Sequence, residues 1–340
     1  MELTTTPVSG GHSSLERSPL SRVPDRILKW GLSGIAGAIL LLILYFFIRL
    51  IGESSNAFST FGIKFITVDN WNIPKNIYEG LSLVVGTLIT SAIALILGVP
   101  IAVGTAIFLT ETCPARARAV LGGLIDLLAA VPSVVYGLWG FTLLGPKLVP
   151  VELWISNTFS FIPFIGPPPN DAVPIGNYFI AGLILAIMIL PIVSAISREV
   201  LSTVPAENKE AALALGATRW EMIRMAVIPY SRSGITGGAM LGLGRAIGET
   251  IAVVTVIGNA PTIGKTIFSQ GYTLAAVIAN EFGESTGLHR SALFAAGLVL
   301  FVLTLIVNVI ARLIVTRASR GESSSKAPTE KIAATAVQAT

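Results

Sequence analysis

Residues 205–260 read PAENKEAALALGATRWEMIRMAVIPYSRSGITGGAMLGLGRAIGETIAVVTVIGNA, and their two halves are unlike. Residues 205–232 are polar and basic, with Gly216 in the middle and Pro229 near the end. Residues 233–258 are apolar and long enough to cross a bilayer, yet they carry Arg245 and Glu249. A loop able to grip a soluble partner thus runs directly into a membrane segment with a charge pair inside it.

In the loop, Glu210-Ala211-Ala212 is followed by three residues, Gly216, and after a further spacer Ile228-Pro229. Ala-, Leu- and Glu-rich text on both sides of Gly216 predicts two short helices. Gly216 supplies the positive φ that a sharp helical turn needs, and Pro229 is expected to stop the second helix before the membrane segment starts.

In the membrane segment, Gly234, Gly238, Gly242, Arg245 and Glu249 recur every three or four residues, which predicts one helical stripe. Small residues on such a stripe let another backbone approach closely. Counted from Ser233, Arg245 lies ~18 Å along the helix, near the middle of a ~30 Å hydrocarbon core. An Arg there costs about 2.5–3.5 kcal/mol or more unless it faces protein or water and has a partner. Glu249, one turn on, is the expected partner. Arg before Glu is the weaker order for local helix stability, and a guanidinium fork suits phosphate-like oxyanions, so the pair reads as part of an anion path. The alternative reading is a structural ion pair between helices.

The spacing of Glu210, Ala211, Ala212, Gly216 and Pro229 resembles the EAA loop of ABC importer permeases, departing from it at Ala226, where the family more often has Ile. That resemblance implies a helix that docks on a cytoplasmic ATPase. The words GRAIGETIAV (244–253), VPSVVYGLWG (131–140) and VIANEFGE (277–284) resemble the phosphate-specific, PstC-type permeases over roughly residues 80–315. The resemblance implies the type I ABC importer permease fold and places the counterparts of Arg245 and Glu249 on the phosphate path. It also implies a second, homologous permease subunit, two ATP-binding cassette subunits that carry ATP and Mg, and an external phosphate-binding protein.

Composition agrees with a membrane chain. Of 340 residues, 53% are hydrophobic and 12% charged, and the net charge of +4 does not indicate nucleic acid. Cys113 is the single cysteine, which excludes an intrachain disulfide and a Cys-x-x-Cys centre. The expected class is an all-α polytopic membrane protein with six transmembrane helices, at about 30–51, 81–109, 119–144, 178–198, 233–258 and 291–315. These lie in a permease domain over 27–317, between disordered tails at 1–26 and 318–340. The first apolar run is too long for a signal peptide and is read as retained. Gly98 and Pro100 predict a kink or break in the second span, and Pro132 and Pro191 bends in the third and fourth. Arg17, Arg22, Arg26 and Lys29, Arg116 and Arg118, Arg198, Lys209, Arg219, Arg224 and Arg232, and the basic residues after 316 all fall on one side of this arrangement. The positive-inside rule makes that side, both termini and the 199–232 loop cytoplasmic in a bacterial plasma (inner) membrane. On the other side, 52–80, 145–176 and 259–290 are expected to be loops, with Leu274–Phe282 too short to span.

Other chemistry is sparse. Residues 258–266, GNAPTIGKT, nearly spell a P-loop, but the first Gly is one residue too far away, Pro261 interrupts, and a membrane segment precedes it. The chain is therefore expected to bind no cofactor itself and to depend on a separate ATPase. His12 and His289 are too few and too far apart for a metal site, and Ser133 has no His to activate it. Ser133 and Tyr136 are candidates to line the path and donate to an oxyanion, or simply to pack. Asp126 is expected to snorkel or to pair with a basic loop residue. Inorganic phosphate is the expected cargo. Molybdate or sulfate, a proton-driven secondary transporter with Glu249 as carrier, and a membrane sensor are the alternatives.

Overall fold

A computed structural model describes the backbone of residues 22–166 and 172–323, with side chains over 27–166 and 172–313. The ends of both tails, His12, the Pro167–Pro169 run and Asp171 lie outside the described residues.

The described chain is mostly helical. It begins with α1 (Arg22–Phe61), whose residues 27–52 form a unit apart from the rest by themselves. This part is apolar and exposed along its length, as a lipid-facing helix is. Residues 53–323 make the second unit. There α2 (Lys64–Thr67) leads into an antiparallel hairpin, β1 (Asp69–Asn72) and β2 (Ile77–Gly80), with Trp71 opposite Tyr78. The hairpin departs from the loop expected over 52–80, and its signals were local ones. Asn72 caps a turn at Ile73–Lys75, and Asn76 takes a left-handed φ of 52°.

α3 (Leu81–Ile107) and α7 (Tyr178–Ser202) lie side by side at the centre, and α10 (Ile228–Gly248) packs on α7 and also touches α3. α7 is apolar on every face, and of the spans it is the most enclosed. Ile180, Ile184, Leu185, Met188, Ile189 and Val193 of α7 form the middle of the main core. The approach is close because glycine occupies the contacts. A Cβ at Gly182 would lie 2.5 Å from Ile93, and one at Gly242 2.8 Å from Val193. The Gly234, Gly238 and Gly242 stripe does what its spacing predicts, with α7 as the second helix. α3 runs unbroken through Pro100, and α7 through Pro191. Beyond α3 a π turn at Phe108–Thr112 closes with Cys113 N–H donating to Phe108 O at 2.8 Å.

Two expected spans are not single helices. The apolar 119–144 run divides into α4 (Ala115–Ala130) and α5 (Ser133–Trp139), because Pro132 forces Val131 into the extended region at φ −69°, ψ 127°. α5 continues through a π turn at Gly140–Leu144 into α6 (Gly145–Thr158), so residues 145–158, expected in an outer loop, are helical. The apolar, span-length helix here is Ser133–Thr158. Likewise 233–258 breaks: α10 ends at Gly248, Glu249 is extended, and α11 (Ile251–Val256) restarts. Among the described residues five helices are long and apolar enough to cross a membrane, and α10 is not one of them. Its glycines, hydroxyls and arginines lower its hydropathy below that of the others.

The remaining helices are α8 (Ala206–Ala214) and α9 (Arg219–Met222) in the polar loop, α12 (Leu274–Glu281), and α13 (Gly287–Ser323). α12 is too short to span and packs against α13 and α3, with Leu274 to Val277 buried.

Two glycines of α3 provide a test of this packing. A Cβ at Gly86 would lie 2.0 Å from the carbonyl oxygen of Tyr272, a backbone atom that has no rotamer to give, whereas Gly104 meets nothing within 4 Å. Gly86→Ala is expected to destabilise by about 1–3 kcal/mol. Gly104→Ala is expected to be neutral or stabilising by up to about 1 kcal/mol from helix propensity. Thermal unfolding of the two purified variants in detergent measures the difference, and equal midpoints would contradict the close approach.

Candidate functional site

The polar loop folds as its spacing predicts on either side of Gly216. α8 ends in a Schellman arrangement: Gly216 N–H donates to Leu213 O at 3.0 Å and Ala217 N–H to Ala212 O at 3.2 Å. Gly216 sits at φ +86°, where a Cβ is strained. Thr218 then opens α9 with a capping box. Its hydroxyl accepts from Glu221 N–H, and the Glu221 carboxylate accepts from Thr218 N–H at 2.8 Å. The backbone bond from Thr218, and then the hydroxyl bond, hold the Glu221 carboxyl below its ordinary pKa. The Thr218-x-x-Glu221 spacing carried this signal in the sequence, and the reading above missed it.

Pro229 does not stop the second helix. α9 passes through a π turn at Ile223–Val227 directly into α10, with Ile228 N–H donating to Ile223 O. A proline clashes with the carbonyl four residues back, and the wider i→i+5 turn just before Pro229 relieves that clash without ending the helix. The loop is therefore one piece with the helix that carries Arg245.

The loop shows two faces. Outward, Glu210 and Ala211 are exposed, as are Leu213 (43%), Leu215 (90%) and Trp220 (63%). Inward, Ala212 packs on a small apolar cluster of Ala106 from α3, Leu201 and Val204 at the end of α7, and Met222, Ile223 and Val227. Lys209 Nζ donates to Glu111 Oε1 at 2.7 Å, joining α8 to the end of α3. Cys113, just beyond the π turn that carries Glu111, is a free thiol and is buried.

The second region lies where the two broken helices meet. A Cβ at Gly137 of α5 would lie 2.1 Å from Thr255 Oγ1 and 3.0 Å from Ala252 Cα, so α5 and α11 touch through a glycine. Arg245 is exposed in the last turn of α10. Among the described residues no ion pair joins Arg245 to Glu249. The expected pairing needed one continuous helical turn, and the helix ends between them. Instead each charge has a helix end. Arg245 lies at the negative C-terminal end of α10, and Glu249 Oε1 accepts a long 3.5 Å contact from Ala252 N–H at the positive start of α11. Arg245 also stands off the glycine seam: Gly242 is buried against α7, while Arg245 is exposed.

Of the other candidates, Ser133 sits half-buried in the first turn of α5. The Tyr136 hydroxyl donates to Leu128 O at 2.8 Å, across the Val131–Pro132 break. It thereby staples α4 to α5, and its donor is already in use. Asp126 pairs with a basic residue as expected: Arg198, whose guanidinium lies over Gly122 one turn earlier on α4.

Two polar groups, one buried and one half-buried, escaped the sequence reading, because each has a partner distant in the chain. Glu152 is fully buried in α6, its Oε2 accepting from Asn177 Nδ2 at 2.9 Å while Oε1 has no partner among the described residues. On the hairpin side, Glu281 accepts from Trp71 Nε1 at 3.1 Å and meets His289 Nε2 at 2.8 Å, and His289 stacks on Tyr78. Burial, and then the Glu281 charge, push the Tyr78 phenol above its ordinary pKa. No His, Cys, Asp and Glu cluster suited to a metal ion exists among the described residues.

Residues 98–320 match the family described as binding-protein-dependent transport system inner membrane component. The chain is 45% identical over 291 residues to the phosphate transport system permease protein PstC of Mesorhizobium japonicum, covering 83% of this chain and 88% of that protein. It is 44% identical over 286 residues to the PstC of Pasteurella multocida, covering 84% and 89%. Among solved structures, a bacterial ABC transporter involved in the import of the acidic polysaccharide alginate superposes with a TM-score of 0.51 at 19% identity. That match covers 86% of this chain and 98% of the other, and it supports the fold.

For the loop, Gly216→Ala is expected to cost about 1 kcal/mol, the left-handed penalty of a Cβ, and Gly216→Val more. Gly216→Pro, whose ring fixes φ near −65°, is expected to undo the turn altogether. Thermal unfolding midpoints of the purified chain in detergent should fall in the order Gly, Ala, Val, Pro. Equal midpoints in all four would contradict the left-handed turn at Gly216.

Proposed function

The chain belongs to the family of binding-protein-dependent transport system inner membrane components, and on that premise we propose that it is the permease subunit of an ATP-driven importer of inorganic phosphate. It is a transport subunit of an ABC system and not an enzyme. The carrying observation is the extent of the match to phosphate permeases, 45% identity over 83% of the chain. The loop and the charged break say how such a subunit works.

On this reading Glu210, Ala211, Ala212 and the turn at Gly216 meet the ATPase, with Leu215 and Trp220 as apolar anchors. Large exposed apolar side chains at a tight turn are what a docking partner covers. ATP and Mg are bound by two partner ATPase subunits. A second, homologous permease subunit completes the pore, and an external phosphate-binding protein delivers the cargo. The membrane is the bacterial plasma membrane, with this loop on the cytoplasmic side. α10 with α11 supplies the sixth crossing, broken at Glu249.

Arg245 is the residue we assign to the anion. Hydrogen phosphate must shed water to cross, and a guanidinium lowers that barrier with charge-assisted hydrogen bonds where the dielectric is low. The break supports this role. Because Glu249 turns to the start of α11, Arg245 keeps its donors without a bound carboxylate, and Glu249 stays close enough in sequence to compete for it. Conduction needs binding that is favourable but shallow, and such a competitor keeps it shallow. Non-helical backbone at membrane depth is tolerated where it is buried in protein or lines a water-filled cavity, and on this reading both breaks border the path. Ser133 lies on the same path, and Tyr136 holds the path's wall through Leu128.

Orientation is tested by labelling. Glu221→Cys, at an exposed site of the loop, is expected to react with an impermeant thiol reagent only from the cytoplasmic face, and the buried Cys113 to contribute little background. Labelling of Glu221→Cys from outside intact cells would overturn the topology.

The anion role is tested by uptake. Arg245→Gln is expected to abolish labelled phosphate uptake at normal membrane levels, and Arg245→Lys to restore only part, since a point charge lacks the planar fork. Glu249→Gln is expected to impair uptake. Sulfate and molybdate as competitors separate phosphate from other oxyanions, and collapse of the proton gradient should leave ATP-driven uptake intact. Wild-type uptake in the Arg245→Gln, Glu249→Gln double variant would refute the assignment.

A further inference from the structure

Glu111 stands in an unfavourable place. It lies in the π turn that ends α3, at the negative end of the helix, where a carboxylate is repelled by the unsatisfied carbonyls. Its side chain is only 7% exposed. Local stability therefore selects against Glu here, and a buried carboxylate without a partner is costlier still. Arg118, the nearby cation on α4, turns away from it and donates to the carbonyls of Thr110, at 2.9 Å, and Cys113. The single described side chain that answers Glu111 is Lys209 of α8, at 2.7 Å.

The rest of the loop's attachment to α3 is apolar. Ala106 of α3, with Leu201 of α7 beside it, meets Val204, Met222, Ile223 and Val227 of the loop in contacts that hold the loop down but are non-directional, so they tolerate sliding. The charge-assisted bond has a direction and a length. At the other end of α3, Thr87 Oγ1 accepts from Leu274 N–H at 3.0 Å, and Gly86 lies under the Tyr272 carbonyl. α3 is thus fixed at one end to the loop and at the other to the 272–274 segment that leads into α12.

We propose that the Lys209–Glu111 ion pair registers the ATPase-facing loop to α3, so that movement of the loop drives α3 and, through it, the opposite side of the subunit. This rests on the permease reading above. The pair positions; it does not touch the cargo or ATP. Without it the loop still docks and hydrolysis still proceeds, but the stroke is lost in slip between α8 and α3.

The test uses the whole importer, purified with its ATPase subunits and reconstituted in liposomes with the external binding protein. ATP hydrolysis and uptake of labelled inorganic phosphate are measured together. Lys209→Met and Glu111→Gln are each expected to retain the ATPase subunits and hydrolysis while phosphate moved per ATP falls about fivefold or more, the scale of coupling through one such pair. Glu111→Lys combined with Lys209→Glu is expected to recover most of the ratio that either change alone loses, and Lys209→Arg to stay near wild type. A wild-type ratio in both single variants, or a charge swap no better than its halves, overturns the proposal. If a single variant disappears from the membrane, the Lys209→Met, Glu111→Gln double variant, which leaves no buried charge unpaired, decides. A reduced ratio supports the proposal, and a wild-type ratio or loss of this variant too makes the pair a folding element and overturns it. A wild-type complex that hydrolyses ATP without taking up phosphate refutes the permease reading itself, and the proposal falls with it.

Discussion

Everything in the larger unit depends on how closely two helices approach α7. Glycines on α3, α7 and α10 let backbones meet where any side chain would collide. In lipid this matters more than it does in water. Apolar side chains gain little by leaving lipid tails for one another, so close packing is what holds helices together. Once α3 and α10 are held against α7, the loop before α10 and the break at Glu249 after it are placed as well, because both are extensions of α10.

The breaks are the second consequence of a solvent without water. Val131–Pro132 and Glu249–Thr250 each interrupt the backbone ladder, and each sits against packed protein: Tyr136 crosses one, and Glu249 itself reaches over the other. Helix ends at such points are local charges. They explain how Arg245 and Glu249 can lie four residues apart and still go separate ways.

Much of this was legible in the chain because it is local. The turn at Gly216, the stripe of Gly234, Gly238 and Gly242, the apolar α3 and α7, and the basic partner of Asp126 all follow from spacing and residue type. The misses have physical reasons. Hydropathy averages over a window, so it registers apolar character at 119–144 and 233–258 but not the Pro132 break or the extended Glu249. Pro229 was expected to end a helix, because a π turn cannot be read from composition. Glu111–Lys209, Glu152–Asn177 and Trp71–Glu281 join residues distant in sequence, and no local pattern announces such pairs.

The π turn at Ile223–Val227 also bears on how the sequence tolerates change. It holds one residue more than an α turn would, so it behaves like a spacer washer between α9 and α10. Removing one residue while closing the turn to regular winding would leave α10 almost in place, whereas closing it with that residue kept would rotate all of α10 by about 100° relative to α9. The glycine seam would swing off α7, and Arg245 would point elsewhere. The number of residues between Gly216 and Pro229 is therefore a rotational setting as much as a length. An insertion or deletion that this turn does not absorb would change which way Arg245 faces without altering a single residue around it.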